Sequence, residues 1–188
     1  MASLDDQKRA LRADVRRRLP KPGSPELVAA SSQAQERLAG AVLKTGARVV
    51  GLYRALASEC GTASAAAALQ AAGREVCYPA VVPGERALQF RQATGVFAAG
   101  ALRVEEPTGS PVPLDSIELL VVPAIAVDAA GRRLGRGKGH YDATLLAYKG
   151  QSVALVFDSQ LVPEVPVGEH DRRVGAVCTE QRDRKSVV

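Results

Sequence analysis

The sequence predicts an α/β fold of three layers with a mainly parallel central sheet, and three observations carry that expectation. Segments with apolar residues every three or four positions alternate with short apolar runs, the order produced by helices that cross between parallel strands. One run, 117–127, is apolar for too long to belong to a strand with a wet face, so it is placed in the middle of the sheet with both sides covered. The chain has 188 residues, 46% of them hydrophobic, which is the size and composition of one domain able to bury a core. A single domain over 1–188 is expected.

Taken in order, residues 5–19 form an amphipathic helix in which Leu11, Val15 and Leu19 face inward. Asp5 and Asp6 favour its start through the helix dipole, and Pro20, Pro22 and Gly23 stop it. Ser24, Pro25 and Glu26 open a second helix with a serine cap and proline at the first position. Leu27, Ala34, Leu38 and Val42 give it a buried stripe, and Gly46 ends it. A buried strand is expected over 47–53, then a loop to Gly61, a helix over 62–72 and a second strand over 74–79. Pro83-Gly84 marks a turn, and the alternation of Leu88 and Phe90 makes 79–92 a hairpin or edge pair. Residues 95–113 lack periodicity and are expected to be a long loop. After the central strand come a helix over 141–148, a core strand over 152–157, a closing strand over 174–179 and a frayed polar tail over 182–188.

Composition narrows the function. The formal charge is +5 and the pI about 9.4, which raises nucleic acid as a partner. However, Trp is absent, only three Phe and four Tyr occur, and no aromatic-basic pattern makes a base-stacking platform. A basic surface for an acidic small molecule accounts for the charge equally well, so nucleic acid is not expected. No apolar run reaches about 18 residues, so no membrane span is expected. The N-terminus is Arg-rich but carries Asp5, Asp6 and Asp14 and no apolar core segment, unlike a transit or signal peptide. Cys60, Cys77 and Cys178 are scattered and odd in number, which fits a reducing cytoplasm. Two histidines without a close Cys/His cluster make a zinc site improbable.

The stretch 121–146 organises the rest. An apolar run ends at Asp128, a turn passes through Gly131, and Gly135, Gly137 and Gly139 then alternate with Arg136 and Lys138 before a helix begins. Glycine lets a ligand approach the backbone, and amides at a helix start point outward without partners. Arg132, Arg133, Arg136 and Lys138 add four positive charges, a setting suited to a triphosphate. The bland reading is a solvated basic hairpin. The loop is not a Walker motif, which would need Gly at 132 and Ser or Thr at 139, nor a dinucleotide fingerprint, which would need Gly at 140. Lys8 and Arg12 share one face of the first helix, and Arg54 and Glu59 lie in the loop after the first strand. Taken alone, these are ordinary solvated charges.

GRRLGRGKGHYD at 131–142 resembles the signature of the 5-formyltetrahydrofolate cyclo-ligases, G-x-R-L-G-x-G-x-G-x-Y-D. The likeness extends to Tyr53-x5-Glu59-x2-Thr62, to Glu105-Glu106-Pro107, and to Gln160, Val165-Pro166 and His170-Asp171. It implies a fold of the type shared by sugar-phosphate isomerases and coenzyme A transferases. It also implies an enzyme that uses ATP and Mg²⁺ to convert 5-formyltetrahydrofolate to 5,10-methenyltetrahydrofolate, acting as a monomer on a reduced folate.

By the same resemblance ATP is held by Lys8, Arg12, Arg133, Leu134, Gly135, Arg136, Gly137, Lys138, Gly139, His140 and Tyr141. Lys138, Arg136 and Arg133 act in catalysis, and Lys138 is the residue expected beside the transferred phosphate. The folate is held by Arg54, Glu59, Arg136 and His140, and Mg²⁺ by Asp142 and Asp171. A lone aspartate at either metal position is otherwise a helix cap or ion-pair partner. His140 stands where the family often has Tyr, a departure expected to alter folate affinity. The alternatives are a relative that acts on another N-formyl compound and a basic nucleic-acid-binding module.

Overall fold

Two opposed cores on the two faces of one sheet account for most of the architecture of the computed structural model, in which residues 2–100 and 105–185 are described. The chain runs α1 (Leu4–Arg18), α2 (Pro25–Thr45), β1 (Val49–Gly51), α3 (Ala63–Ala71), β2 (Glu75–Ala80), β3 (Gln89–Gln92), β4 (Phe97–Ala99), β5 (Glu105–Pro107) and β6 (Pro111–Val112). It continues with β7 (Leu119–Pro123), β8 (Ala126–Val127), β9 (Arg133–Leu134), α4 (His140–Ala147), β10 (Gln151–Leu155), β11 (Ala176–Cys178) and β12 (Asp183–Lys185).

The main sheet has eight strands in the order β12-β11-β10-β7-β1-β2-β3-β6. Neighbours from β11 through to β2 pair in parallel, while β3, β6 and β12 are antiparallel additions at the edges. Alternation along the strands builds the layers. Leu119 and Val121 of β7 pack with α2 and α3 on one face, and Leu120 and Val122 pack with Leu145 of α4 on the other. All four are essentially inaccessible to solvent, so each contributes roughly 1.5–3 kcal/mol of apolar burial. The expected three-layer α/β arrangement with a mainly parallel sheet is what these contacts make. In α2 the expected stripe of Leu27, Ala34, Leu38 and Val42 is buried as one face.

Three expectations are corrected. Residues 95–113 are not one loop: β4 and β5 pair as a hairpin and β6 joins the main sheet, while 101–104 lie outside the described residues. The run 117–127 is not one strand. Pro123 has no amide to donate and ends β7, and β8 leaves the sheet to pair with β9. Gln160 Nε2 donates to the carbonyls of Ala124 and Ile125 at 2.9 and 3.0 Å, satisfying the backbone where the ladder stops. Finally, the tail contains β12, paired antiparallel with β11. An edge strand is allowed to be polar, so composition hides it. Residues 186–188 lie outside the described residues.

Helix α1 packs on neither face of the sheet. Its Leu11 and Val15 join Ile125, Ala126, Leu134, Val162 and Val165 in a third, smaller core, which holds the helix against the β8–β9 hairpin. Among the described residues no helix is long and apolar enough to cross a membrane.

Candidate functional site

The loops that follow β1, β2 and β9 meet beyond the carboxyl ends of the central strands, where parallel sheets collect ligands. The glycine loop runs from Leu134 to the start of α4. Gly137 and Gly139 have φ of 100° and 74°, in the left-handed region that disfavours other residues. At Gly135 a Cβ would sit 2.9 Å from Arg133 Nη1, the tip of a side chain.

The start of α4 differs from the other helix starts. Ser3 and Ser24 accept amides of the first turns of α1 and α2, and Gln35 Oε1 accepts Ser64 N in the first turn of α3 at 2.9 Å. No described side chain accepts a first-turn amide of α4. That leaves a helix N-terminus with its donors and positive dipole end exposed behind a glycine loop, the arrangement that holds phosphate.

Cations surround this point from both ends of the chain. Arg12 Nε donates to Gly135 O at 2.9 Å, and Lys8 Nζ pairs with Asp171 Oδ2 at 2.5 Å, so α1 lies over the loop and the two are not the solvated charges that the pair taken alone suggests. Arg133 is 4% exposed. Its Nη2 donates to Asp142 Oδ1 at 2.9 Å, and its Nε is buried without a partner. Burial lowers the Arg133 pKa, opposed by Asp142, Tyr141 and Asp171, although a guanidinium stays charged at any physiological pH. Lys138 is exposed and makes no hydrogen bond or ion pair with the described residues.

Arg132 belongs elsewhere. Its guanidinium is committed to Asp128 Oδ2 at 2.6 Å and Glu164 Oε1 at 2.9 Å, which removes it from the four loop charges counted in the sequence.

Asp142 and Asp171 come to the same place from α4 and the segment before β11. Asp142 Oδ1 accepts Arg133 and, at 3.4 Å, the Arg172 amide. Asp171 Oδ2 accepts Lys8 and, at 2.6 Å, the Gly168 amide. Asp142 Oδ2 and Asp171 Oδ1 therefore remain for a hard cation, which prefers oxygen donors and accepts one or two carboxylates beside phosphate oxygens. No group of three His, Cys, Asp or Glu able to hold a metal occurs among the described residues. Burial works against the charged form of Asp171, but the Gly168 amide and Lys8 outweigh it and hold the carboxyl below its ordinary range.

Glu59 faces the loop from the β1 side. Tyr53 Oη donates to Cys60 O at 2.6 Å and Thr62 Oγ1 to Tyr53 O at 2.5 Å, closing residues 53–62 into a fixed loop. Glu59 Oε2 accepts the Leu56 amide at 2.9 Å, and Oε1 accepts Arg136 Nε at 2.8 Å. Arg136 also donates to Ser58 Oγ at 3.0 Å. Arg54 stands apart from this pair, bonded to Glu105 at 2.6 Å with its guanidinium 4.2 Å from the Phe97 ring centre.

The remaining expected residues take narrower places. Leu134 buries its side chain under α1, which leaves only its backbone for a ligand. Tyr141 packs against both main cores, and burial raises its phenol pKa. His140 Nδ1 lies 2.9 Å from Arg86 O; a carbonyl only accepts, so Nδ1 carries the proton. Sequence reasoning missed Ser58, Arg86 and Arg172, none of which stands in a recognisable spacing. The three cysteines are buried and burial pushes their thiols up to about 12, so none is poised as a nucleophile.

The family model for 5-formyltetrahydrofolate cyclo-ligases matches residues 5–180. The chain belongs to the 5-formyltetrahydrofolate cyclo-ligase family. Among its relatives, the 5-formyltetrahydrofolate cyclo-ligase of Mycolicibacterium smegmatis is 34% identical over 74% of this chain and 77% of the relative. That of Escherichia coli is 31% identical over 72% and 80%. In fold, the chain is similar to a 5,10-methenyltetrahydrofolate synthetase from Aquifex aeolicus, with a TM-score of 0.78, 24% identity and coverage of 95% of this chain and 92% of the other. It is also similar to one from Mycoplasma pneumoniae, with a TM-score of 0.74, 16% identity and coverage of 92% and 98%.

Proposed function

We propose that this protein converts 5-formyltetrahydrofolate to 5,10-methenyltetrahydrofolate at the expense of ATP, releasing ADP and phosphate. The observation that carries this reading within the cyclo-ligase family is the uncapped start of α4 behind the glycine loop, ringed by Lys8, Arg12, Arg133, Arg136 and Lys138. A triphosphate laid there meets free amides and positive charge, and its γ-phosphate faces the loop that presents Glu59. The formyl oxygen attacks the γ-phosphorus, ADP leaves, and the second folate nitrogen closes the ring, losing its proton to solvent, as phosphate departs. Alignment and neutralisation of charge dominate such a transfer. Lys138, held by no carboxylate among the described residues, is the cation placed to follow the moving phosphoryl group.

Asp142 and Asp171 would hold Mg²⁺, which when bound offsets the charge of the triphosphate. Glu59 accepts hydrogen bonds from the amino and ring N–H groups of the pterin. Arg136, now tied to Glu59, is released to the phosphates as the pterin takes its place. His140 and Arg54 border the folate, and Tyr141 and the backbone of Leu134, Gly135, Gly137 and Gly139 border the nucleotide. The reading places a monomer in the cytoplasm, a compartment compatible with three free cysteines.

Purified protein given 5-formyltetrahydrofolate is expected to form the methenyl product only when ATP and Mg²⁺ are both present. ATP hydrolysis without that product would redirect the reading to another N-formyl compound. Salt-sensitive binding of oligonucleotides with no ATP-dependent chemistry would replace it with a nucleic-acid module.

A further inference from the structure

A cleft of about 510 Å³ opens beside the site, a volume in the range of small-molecule sites, roughly 300–1,000 Å³. Val81 and Pro83 of the β2–β3 connection form one wall, Ala98 and Pro107 of the β4–β5 hairpin form the other, and Gln89 and Arg91 line it from β3. Each wall belongs to a segment that also holds an expected site residue. The β2–β3 connection carries Arg86, whose carbonyl is bonded to His140. The β4–β5 hairpin carries Glu105 and Phe97, which hold Arg54.

Arg91 is half-buried, and its guanidinium donates only to neutral acceptors: Gly109 O at 3.3 Å and Gln89 Oε1 at 3.2 Å. It makes no ion pair with the described residues. Arg91 lies directly opposite Tyr78 in the β2–β3 ladder, so the two side chains share a face. Tyr78 meets Phe97 edge to face at 5.7 Å, and Arg54 covers Phe97. Tyr78 itself is buried, so the row Arg54, Phe97, Tyr78 and Arg91 ties the hairpin to β2 and β3 behind the cleft. Glu106, also on the hairpin wall, accepts the Val81 amide at 3.2 Å.

A reduced folate consists of a pterin, a flat benzoyl ring and a glutamate, and the glutamate carboxylates are its permanent negative charges at neutral pH. We propose that the cleft seats the benzoylglutamate end of the folate and that Arg91 pairs with its glutamate carboxylate, making Arg91 a determinant of substrate specificity. The pairing replaces two neutral acceptors with a charged one that fits the guanidinium fork. The inference rests on a reduced folate being the substrate.

Turnover of 5-formyltetrahydrofolate is to be compared with that of 5-formyltetrahydropteroate, which lacks the glutamate, in wild type, Arg91→Ala and Arg91→Lys. The wild type is expected to show a KM about tenfold lower for the glutamate-bearing compound, equivalent to about 1.4 kcal/mol. Arg91→Ala raises the KM for that compound to the pteroate level, with Arg91→Lys between. Equal KM values for the two compounds in the wild type would overturn the proposal, as would a loss in Arg91→Ala that is the same for both.

A second arm needs no catalysis. N-(p-aminobenzoyl)glutamate titrated into wild type is expected to bind about tenfold more tightly than p-aminobenzoate, and Arg91→Ala abolishes the difference. Absence of that difference in a protein that turns over folate removes the subsite and leaves the activity standing. Its presence in a protein that does not turn over folate removes the activity and leaves the subsite.

Discussion

Arg132 and Arg133 are neighbours in sequence and do opposite work. Arg132 closes a turn: Asp128 is 1% exposed and accepts the Ala130, Arg132 and Val165 amides as well as Arg132 Nε. Every charge in that network has its partner inside the protein. One residue on, the chain enters a loop whose glycines keep the backbone bare, and among the described residues its helix start has no side-chain cap and its last cation, Lys138, has no partner. Satisfied polar groups mark a scaffold, and unsatisfied ones in a fixed place mark a surface kept for something else.

The contrast can be broken by substitution, beginning with the largest effect. Lys138→Ala is expected to lower kcat roughly 100- to 1,000-fold, the usual cost of removing one positioned donor to a developing charge, with thermal stability unchanged; kcat within a few-fold of wild type removes that role. Asp128→Ala is expected to do the reverse. It strands three amides and leaves Arg132 with Glu164 as its one remaining carboxylate, costing about 3 kcal/mol of stability, read as a fall in the urea midpoint. A destabilisation below about 1 kcal/mol would mean that the network is less tightly coupled than its geometry implies.

Glu59→Gln retains the shape but loses the charge that answers Arg136 and, in the proposed reading, the pterin. A KM for folate raised about tenfold, with KM for ATP little changed, is the expected outcome; an effect confined to ATP contradicts the assignment. The smallest effect concerns pH. Because Asp171 is held below its ordinary value of 3.8, its contribution to stability is complete above that value and is lost as pH falls through the lower folded value. Asp171→Asn is expected to flatten the acid limb of the thermal-stability profile by less than about 1 kcal/mol, and an unchanged limb would show that Lys8 and Gly168 do not hold this carboxylate.

The same contrast explains what the sequence makes legible. The glycine loop is read easily because its requirements are local: Gly135, Gly137 and Gly139 stand in the sequence where the bare backbone stands in space. The face shared by Lys8 and Arg12 is also local, a matter of one helical turn. The division of labour between Arg132 and Arg133 is not, because it depends on Glu164 and Val165, which reach the turn from a distant segment. Ser58 and Glu59 meet Arg136 only through the topology of the sheet, and β12 is polar enough to pass for a tail. The break at Pro123 could be foreseen from the missing amide, whereas the packing of α1 on the β8–β9 hairpin joins segments distant in sequence.

The central claim is that the loop and the start of α4 hold the nucleotide's phosphates while the turn beside them is inert. Amide chemical shifts followed during titration with Mg²⁺ and a non-hydrolysable ATP analogue test it most directly. The account predicts that residues 135–142 shift strongly and saturate together, with 128–132 nearly still. Saturable binding that leaves 135–142 unmoved and shifts another surface would contradict it.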